Sequence, residues 1–130
     1  MAKFLKNYFW AFLWSLLILT VCLIPSDGLP KINFLSGYHL DKFIHLFLFF
    51  VQCSLFLIRA NKIKNNFAIK RHILFTLIYS LLLGTSVEFI QHYYVFGRAG
   101  DFNDVLADFI GILLGISFFL LKKSNLIEPN

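Results

Sequence analysis

The sequence predicts an all-α fold, a four-transmembrane-helix bundle with N- and C-termini on the cytoplasmic side. Three observations predict it. Four continuous apolar runs are each long enough to cross a bilayer. The hydrophobic share is 58% with 17 Phe, more apolar surface than the few polar residues of a small soluble domain could cover. Lys and Arg cluster between the runs in a strongly one-sided way.

The runs are Tyr8–Ile24, Asp41–Ile58, Ile73–Gln91 and Asp104–Leu121, 17 to 19 residues each. About 20 residues are needed at ~1.5 Å rise to cross a ~30 Å hydrocarbon layer. The runs are continuous rather than alternating, and backbone groups in lipid must bond within their own segment, so they are helices rather than strands. Run one follows Lys3 and Lys6 and invites reading as a signal peptide, but it is long for that and no small-x-small cleavage site follows, so it is expected to stay as a membrane helix. Pro25-Ser26-Asp27-Gly28-Leu29-Pro30 ends it. Runs two and three are joined by the polar, basic segment Arg59–Arg71, and runs three and four by Gly97-Arg98-Ala99-Gly100. The length, 130 residues, fits one domain.

Alternating crossings place Lys3, Lys6, Arg59, Lys62, Lys64, Lys70, Arg71, Lys122 and Lys123 on one side, against Lys31, Lys42 and Arg98 on the other. The positive excess marks the first side as cytoplasmic. The net charge of +5 therefore points to lipid headgroups and orientation, not to nucleic acid. Cys22 and Cys53 lie apart within apolar runs and suggest neither a disulfide framework nor a metal site.

Only Glu128 shares the side of the basic excess; Asp27, Asp41, Glu88, Asp101, Asp104 and Asp108 lie towards the other, and at 100° per residue the polar residues form stripes. In the second run Asp41, His45 and Gln52 fall within about 40°. In the third, Ser80, Gly84, Glu88 and Gln91 fall within about 80°, as do Asp101, Asp104, Asp108, Gly111 and Gly115 in the fourth. An ionisable side chain facing lipid near the bilayer centre costs at least ~2.5–3.5 kcal/mol, so the three stripes are expected to face one another. Gly111 and Gly115 would let a neighbouring helix approach closely. The first run has no ionisable residue, and is expected to be a lipid-facing partner carrying Trp10 and Trp14 on one side.

His45 and Glu88 are the candidate acid and base. Asp41, four residues before His45, could fix its tautomer. Asp41, Lys42, Gln91, Arg98, Asp101, Asp104 and Asp108 are the candidate ligand-binding residues. Arg98 could hold a phosphate or carboxylate, or neutralise Asp101 and Asp104. Asp104 and Asp108 are close enough to repel, so one must be protonated, paired with Arg98 or His45, or bound to a cation. No residue is assigned to a metal and no cofactor is expected. Each polar residue also has a structural reading, as a hydrogen-bonded tie between helices.

Asp41-Lys42-x-x-His45-x-x-x-Phe49-Phe50, Glu88-x-x-Gln91, Gly97-Arg98 and Asp101-x-x-Asp104-Val-Leu-Ala-Asp108-x-x-Gly111-x-x-x-Gly115 together resemble the VanZ-like membrane proteins, named for a teicoplanin-resistance protein. The resemblance runs from about Asp41 to Gly115 and departs at Asp108, where many relatives carry Asn. It implies a single VanZ-like integral membrane domain over residues 1–130, in the cell membrane, with a polar pocket at the outer face. That pocket would bind or modify an envelope lipid or glycolipid headgroup, or affect glycopeptide susceptibility. The expected partners are membrane lipids and a lipid-linked or glycopeptide ligand, with oligomerisation open. A membrane-embedded enzyme, a transporter subunit and a purely structural polar network are the alternatives. The transporter reading is weakened by the absence of a continuous polar path below Gln52 and Ser80.

Overall fold

Helices account for nearly all of the computed structural model, which describes residues 2–24, 38–95 and 100–125. They are α1 (Ala2–Cys22), α2 (Tyr38–Leu57), α3 (Asn66–Tyr94) and α4 (Phe102–Asn125), with a short 3-10 turn at Ile58–Lys62. The described residues contain no strand. Three helices, α2, α3 and α4, are long and apolar enough to cross a membrane, and α1 adds a shorter apolar stretch, Tyr8–Cys22.

Two starts are set by side-chain caps. Asn65 accepts from the amides of Phe67 at 2.8 Å and Ala68 at 3.2 Å, so α3 begins well before Ile73. The basic segment read as a connection is thus partly helical, with Lys70 and Arg71 inside α3. At 29 residues α3 is about 43 Å long, more than the ~30 Å hydrocarbon layer, so its ends reach both interfaces. Asp101 caps α4, its Oδ1 accepting from the Asn103 amide at 2.9 Å.

The helices run alternately up and down. Tyr8 of α1 meets His72 of α3, hydroxyl to Nδ1, at 3.1 Å. At the same end, Lys123 of α4 donates to the carbonyls of Ala60 at 3.3 Å and Ile63 at 2.9 Å. The start of α1, the end of α4 and the basic 58–71 segment therefore share one end of the bundle, as the charge pattern requires. The acid-bearing ends of α2, α3 and α4 lie at the other.

Packing is tightest between α2 and α4. A Cβ on Gly111 would run into the carbonyl of Leu46, and one on Gly115 would lie 2.8 Å from Cβ of Cys53. Only hydrogen at both positions allows this approach, the role expected of the small-residue pair. Ile18, Phe49, Cys53, Val87 and Ile112 form the buried centre. Tyr8, Ala11 and Phe56 form a second cluster towards the basic end, with Phe12 and Tyr79 packed on it. Both cysteines are free and buried. The outer surface is strongly apolar, with Trp10, Phe47, Leu82, Phe89, Leu113 and Phe118 exposed. Water would not tolerate so continuous an apolar surface, and lipid favours it.

The first helix is more than a lipid-facing partner. Trp10 does face outward, but Trp14 Nε1 donates to the carbonyl of Leu48 at 3.0 Å. Ser15 is buried and central to a polar contact: Gln52 donates to its hydroxyl at 2.8 Å and Tyr79 at 3.0 Å. Buried hydroxyls in hydrocarbon need such partners, which is why the apolar run turns Ser15 inward.

Candidate functional site

The stripes expected on α2, α3 and α4 converge at the end of the bundle away from the basic segment. His45, Glu88, Asp104, Asp108 and Gln91 are buried, and Asp41, Lys42 and Asp101 are half-buried at the rim. Arg98 lies outside the described residues.

His45 is the hub. Its Nδ1 stands 2.9 Å from Oδ1 of Asp108 and 3.8 Å from Oε1 of Glu88. With Asp108 ionised, Nδ1 carries the proton and donates, so the tautomer is set from α4. Asp41 was expected to do this from one turn away. It does approach, its carboxylate lying within 4.8 Å of both a His45 nitrogen and an Asp104 oxygen. The hydrogen bond at Nδ1 nevertheless goes to Asp108, because α4 is drawn against α2 by the glycines one and two turns below.

Lys42 bridges the rim. Its ammonium donates to Asp101 at 2.8 Å and to Asp104 at 3.1 Å. It thereby offsets charge on Asp101 and Asp104, the neutralising role considered for Arg98. The ammonium beside it, and the amide of Asn103, hold the Asp101 carboxyl below the usual carboxylate range. Asp101 also ties α3 to α4, its backbone amide donating to Oε2 of Glu88 at 3.0 Å. Gly100 permits this, since a Cβ there would lie 2.9 Å from the Glu88 carbonyl.

Gln91 is placed beside the recess but is used structurally. Its amide donates to the carbonyl of Cys22 at 2.6 Å, satisfying a carbonyl left open at the end of α1. Beneath the recess, Ile18, Phe49 and Ile112 are fully buried and form an apolar floor. The Ser15–Gln52–Tyr79 network lies below that floor. Gln52 is about 10 Å from His45 along α2.

Three atoms of the recess have no hydrogen-bond partner: Nε2 of His45, Oε1 of Glu88 and Oδ2 of Asp108. Buried polar atoms are normally satisfied, so these mark where a bound group would be stabilised. Among the described residues the acids outnumber the bases, with Asp41, Glu88, Asp101, Asp104 and Asp108 set against Lys42 and His45. Such a recess can accept hydrogen bonds from hydroxyl and ammonium groups, hold a cation, or exchange protons between His45 and Glu88.

Two contacts here were not expected from the sequence, the Lys42 bridge and the Gln91–Cys22 tie. The spacing of Lys42 one residue after Asp41, at the mouth of the same helix, was the available signal for the first. The second involves a backbone carbonyl, which leaves no trace in residue type.

A family model described as VanZ/LLP1 matches residues 2–123. No curated protein and no solved structure matches the chain.

Proposed function

This chain belongs to the VanZ/LLP1 family, and from that membership and the recess we propose that it binds an envelope lipid or glycolipid headgroup at the extracytoplasmic face of the cell membrane. In cells this would alter susceptibility to teicoplanin-type glycopeptides. The observation that carries the reading is the one-sidedness of the polar groups. Three helices pool ionisable side chains at a single end, above an apolar floor, with buried oxygens of Glu88 and Asp108 lacking partners. A headgroup rich in hydroxyl or amine donors suits these acceptors, and its acyl chains would lie against the exposed apolar faces of the helices. The basic end, with Arg71, Lys122 and Lys123, is then cytoplasmic.

The test is glycopeptide susceptibility of cells producing wild-type protein or E88Q at equal membrane levels. A shift with the wild type that disappears with E88Q supports the reading. Equal susceptibility of wild-type, E88Q and non-producing cells counts against the glycopeptide part of it.

One geometric fact favours a second reading, a membrane-embedded enzyme. Glu88 Oε1 faces His45 Nδ1 at 3.8 Å, and the two could serve as acid and base on a lipid-linked substrate. Release of product from labelled membrane lipids by the purified protein, lost in E88Q, would establish it. Absence of product across several headgroups would leave binding as the activity.

A further inference from the structure

A ring nitrogen of His45, one oxygen of Glu88 and one of Asp108 all lie within 4.8 Å of one another. The three side chains are only 1%, 7% and 2% exposed. Glu88 Oε1 has no hydrogen-bond partner and faces the imidazole at 3.8 Å, too far for a hydrogen bond. The other oxygen of the same carboxylate is held by the Asp101 amide. Glu88 is thus oriented by one oxygen and offers the other. Lys42 is engaged by Asp101 and Asp104 at the rim, so in this trio two carboxylates share one imidazole. Two buried carboxylates beside one another need a proton or a cation between them.

We propose that His45, Glu88 and Asp108 form a binding site for a divalent first-row metal ion of the zinc or manganese kind. The donors are one imidazole nitrogen and two carboxylate oxygens, a set that suits these ions better than calcium or magnesium, which favour all-oxygen shells. The ion takes the place of the proton that Nδ1 shares with Asp108, and that proton moves to Nε2 or leaves to solvent. The spacing fits as well. Tetrahedral sites with bonds of ~2.0–2.2 Å have ligand-to-ligand edges of about 3.4 Å. Nδ1 to Asp108 Oδ1 is 2.9 Å and Nδ1 to Glu88 Oε1 is 3.8 Å, so small side-chain rotations bring both to that value. The amide bond to Glu88 is the outer-shell support that oriented metal ligands usually have. Three protein ligands leave a coordination position for a water or another oxygen ligand. A neighbouring trio, Asp41, His45 and Asp104, shares the same histidine, but Asp104 is already bridged by Lys42. The site does not rest on the headgroup reading, since ion binding and headgroup binding are measured separately and can fail separately.

The experiment uses the full chain purified in detergent, stripped with chelator and titrated with Zn2+ or Mn2+ alone. Bound metal is quantified after desalting, and folding is checked by circular dichroism. The expected result is one ion per chain with a raised melting temperature. The affinity should fall at least about tenfold in E88Q and in D108N, and stay unchanged in Q52L below the apolar floor. X-ray absorption of the wild-type zinc complex should show a shell of nitrogen and oxygen without sulfur, a readout that needs no variant. Folded wild type that takes up neither ion overturns the proposal and leaves shared protons in the recess. So does equal binding by wild type and the E88Q/D108N double variant, or a sulfur-containing shell.

Discussion

His45 and Asp108 are 63 residues apart in sequence, yet Nδ1 and Oδ1 meet at 2.9 Å with both side chains buried. The contact joins the two most closely packed helices at the level where their polar stripes cross. It exists because Gly111 and Gly115 bring α4 onto the α2 backbone, and because neither group can be left alone in hydrocarbon.

Replacing His45 by Ala leaves Asp108 and Glu88 buried without their shared partner. Removing one member of a buried pair typically costs about 3–5 kcal/mol. H45A should therefore unfold at markedly lower temperature in detergent than the wild type. D101N, altered at the half-buried rim, should lose much less. Thermal unfolding of the purified variants, followed by circular dichroism, measures both.

Gly111→Leu should be among the most damaging single changes. The new side chain would meet the Leu46 carbonyl and the Phe50 amide, main-chain atoms that cannot rotate away. Overpacking costs about 1–3 kcal/mol when side chains can yield, and more is expected here. Loss of monodisperse protein on gel filtration, with normal membrane insertion, is the expected outcome.

Asp101 gives a pH signature. Its carboxyl lies below its ordinary value of 3.8 because the Lys42 ammonium and the Asn103 amide favour the ionised form. A depressed carboxylate stabilises the fold above its unfolded value and loses that contribution as pH falls through the folded one. Wild-type stability should therefore fall off below about pH 4 more steeply than that of D101N. Melting curves between neutral pH and the acid limit of the detergent check this.

Ser15→Ala removes the hydroxyl that receives both Gln52 and Tyr79. Side-chain hydrogen bonds inside membranes average ~0.6 kcal/mol and reach ~1.7. A stability loss in that range is expected, with no change in any activity of the recess, because the apolar floor separates the two networks. A change in ligand or ion binding by S15A would show the two levels to be coupled.

Much of this architecture was legible in the sequence because hydrocarbon imposes simple rules. Run length revealed helices, Lys and Arg placement paired the ends, and the 100° period grouped His45, Glu88 and Asp108 before any coordinates. What stayed hidden was pairing. His45 has an acid one turn away and others across the bundle, and only the close approach of α2 and α4 decides for Asp108. Asp101 and Asp104 could have met Arg98 or Lys42, and stripe geometry does not rank the two. The start of α3 was missed because a basic segment reads as a connection, whereas Asn65 caps a helix that carries its charge into the interface. Ser15 and Tyr79 were overlooked since a single hydroxyl in an apolar run has no period.

The central claim, that the recess between α2, α3 and α4 receives a headgroup, is tested most directly by native mass spectrometry of the full chain released from its own membranes. Wild type should retain a lipid or glycolipid of defined mass, and E88Q and D108N should lose it while keeping the same oligomeric state. Retention of the same species by both variants, or none by folded wild type, would contradict the account.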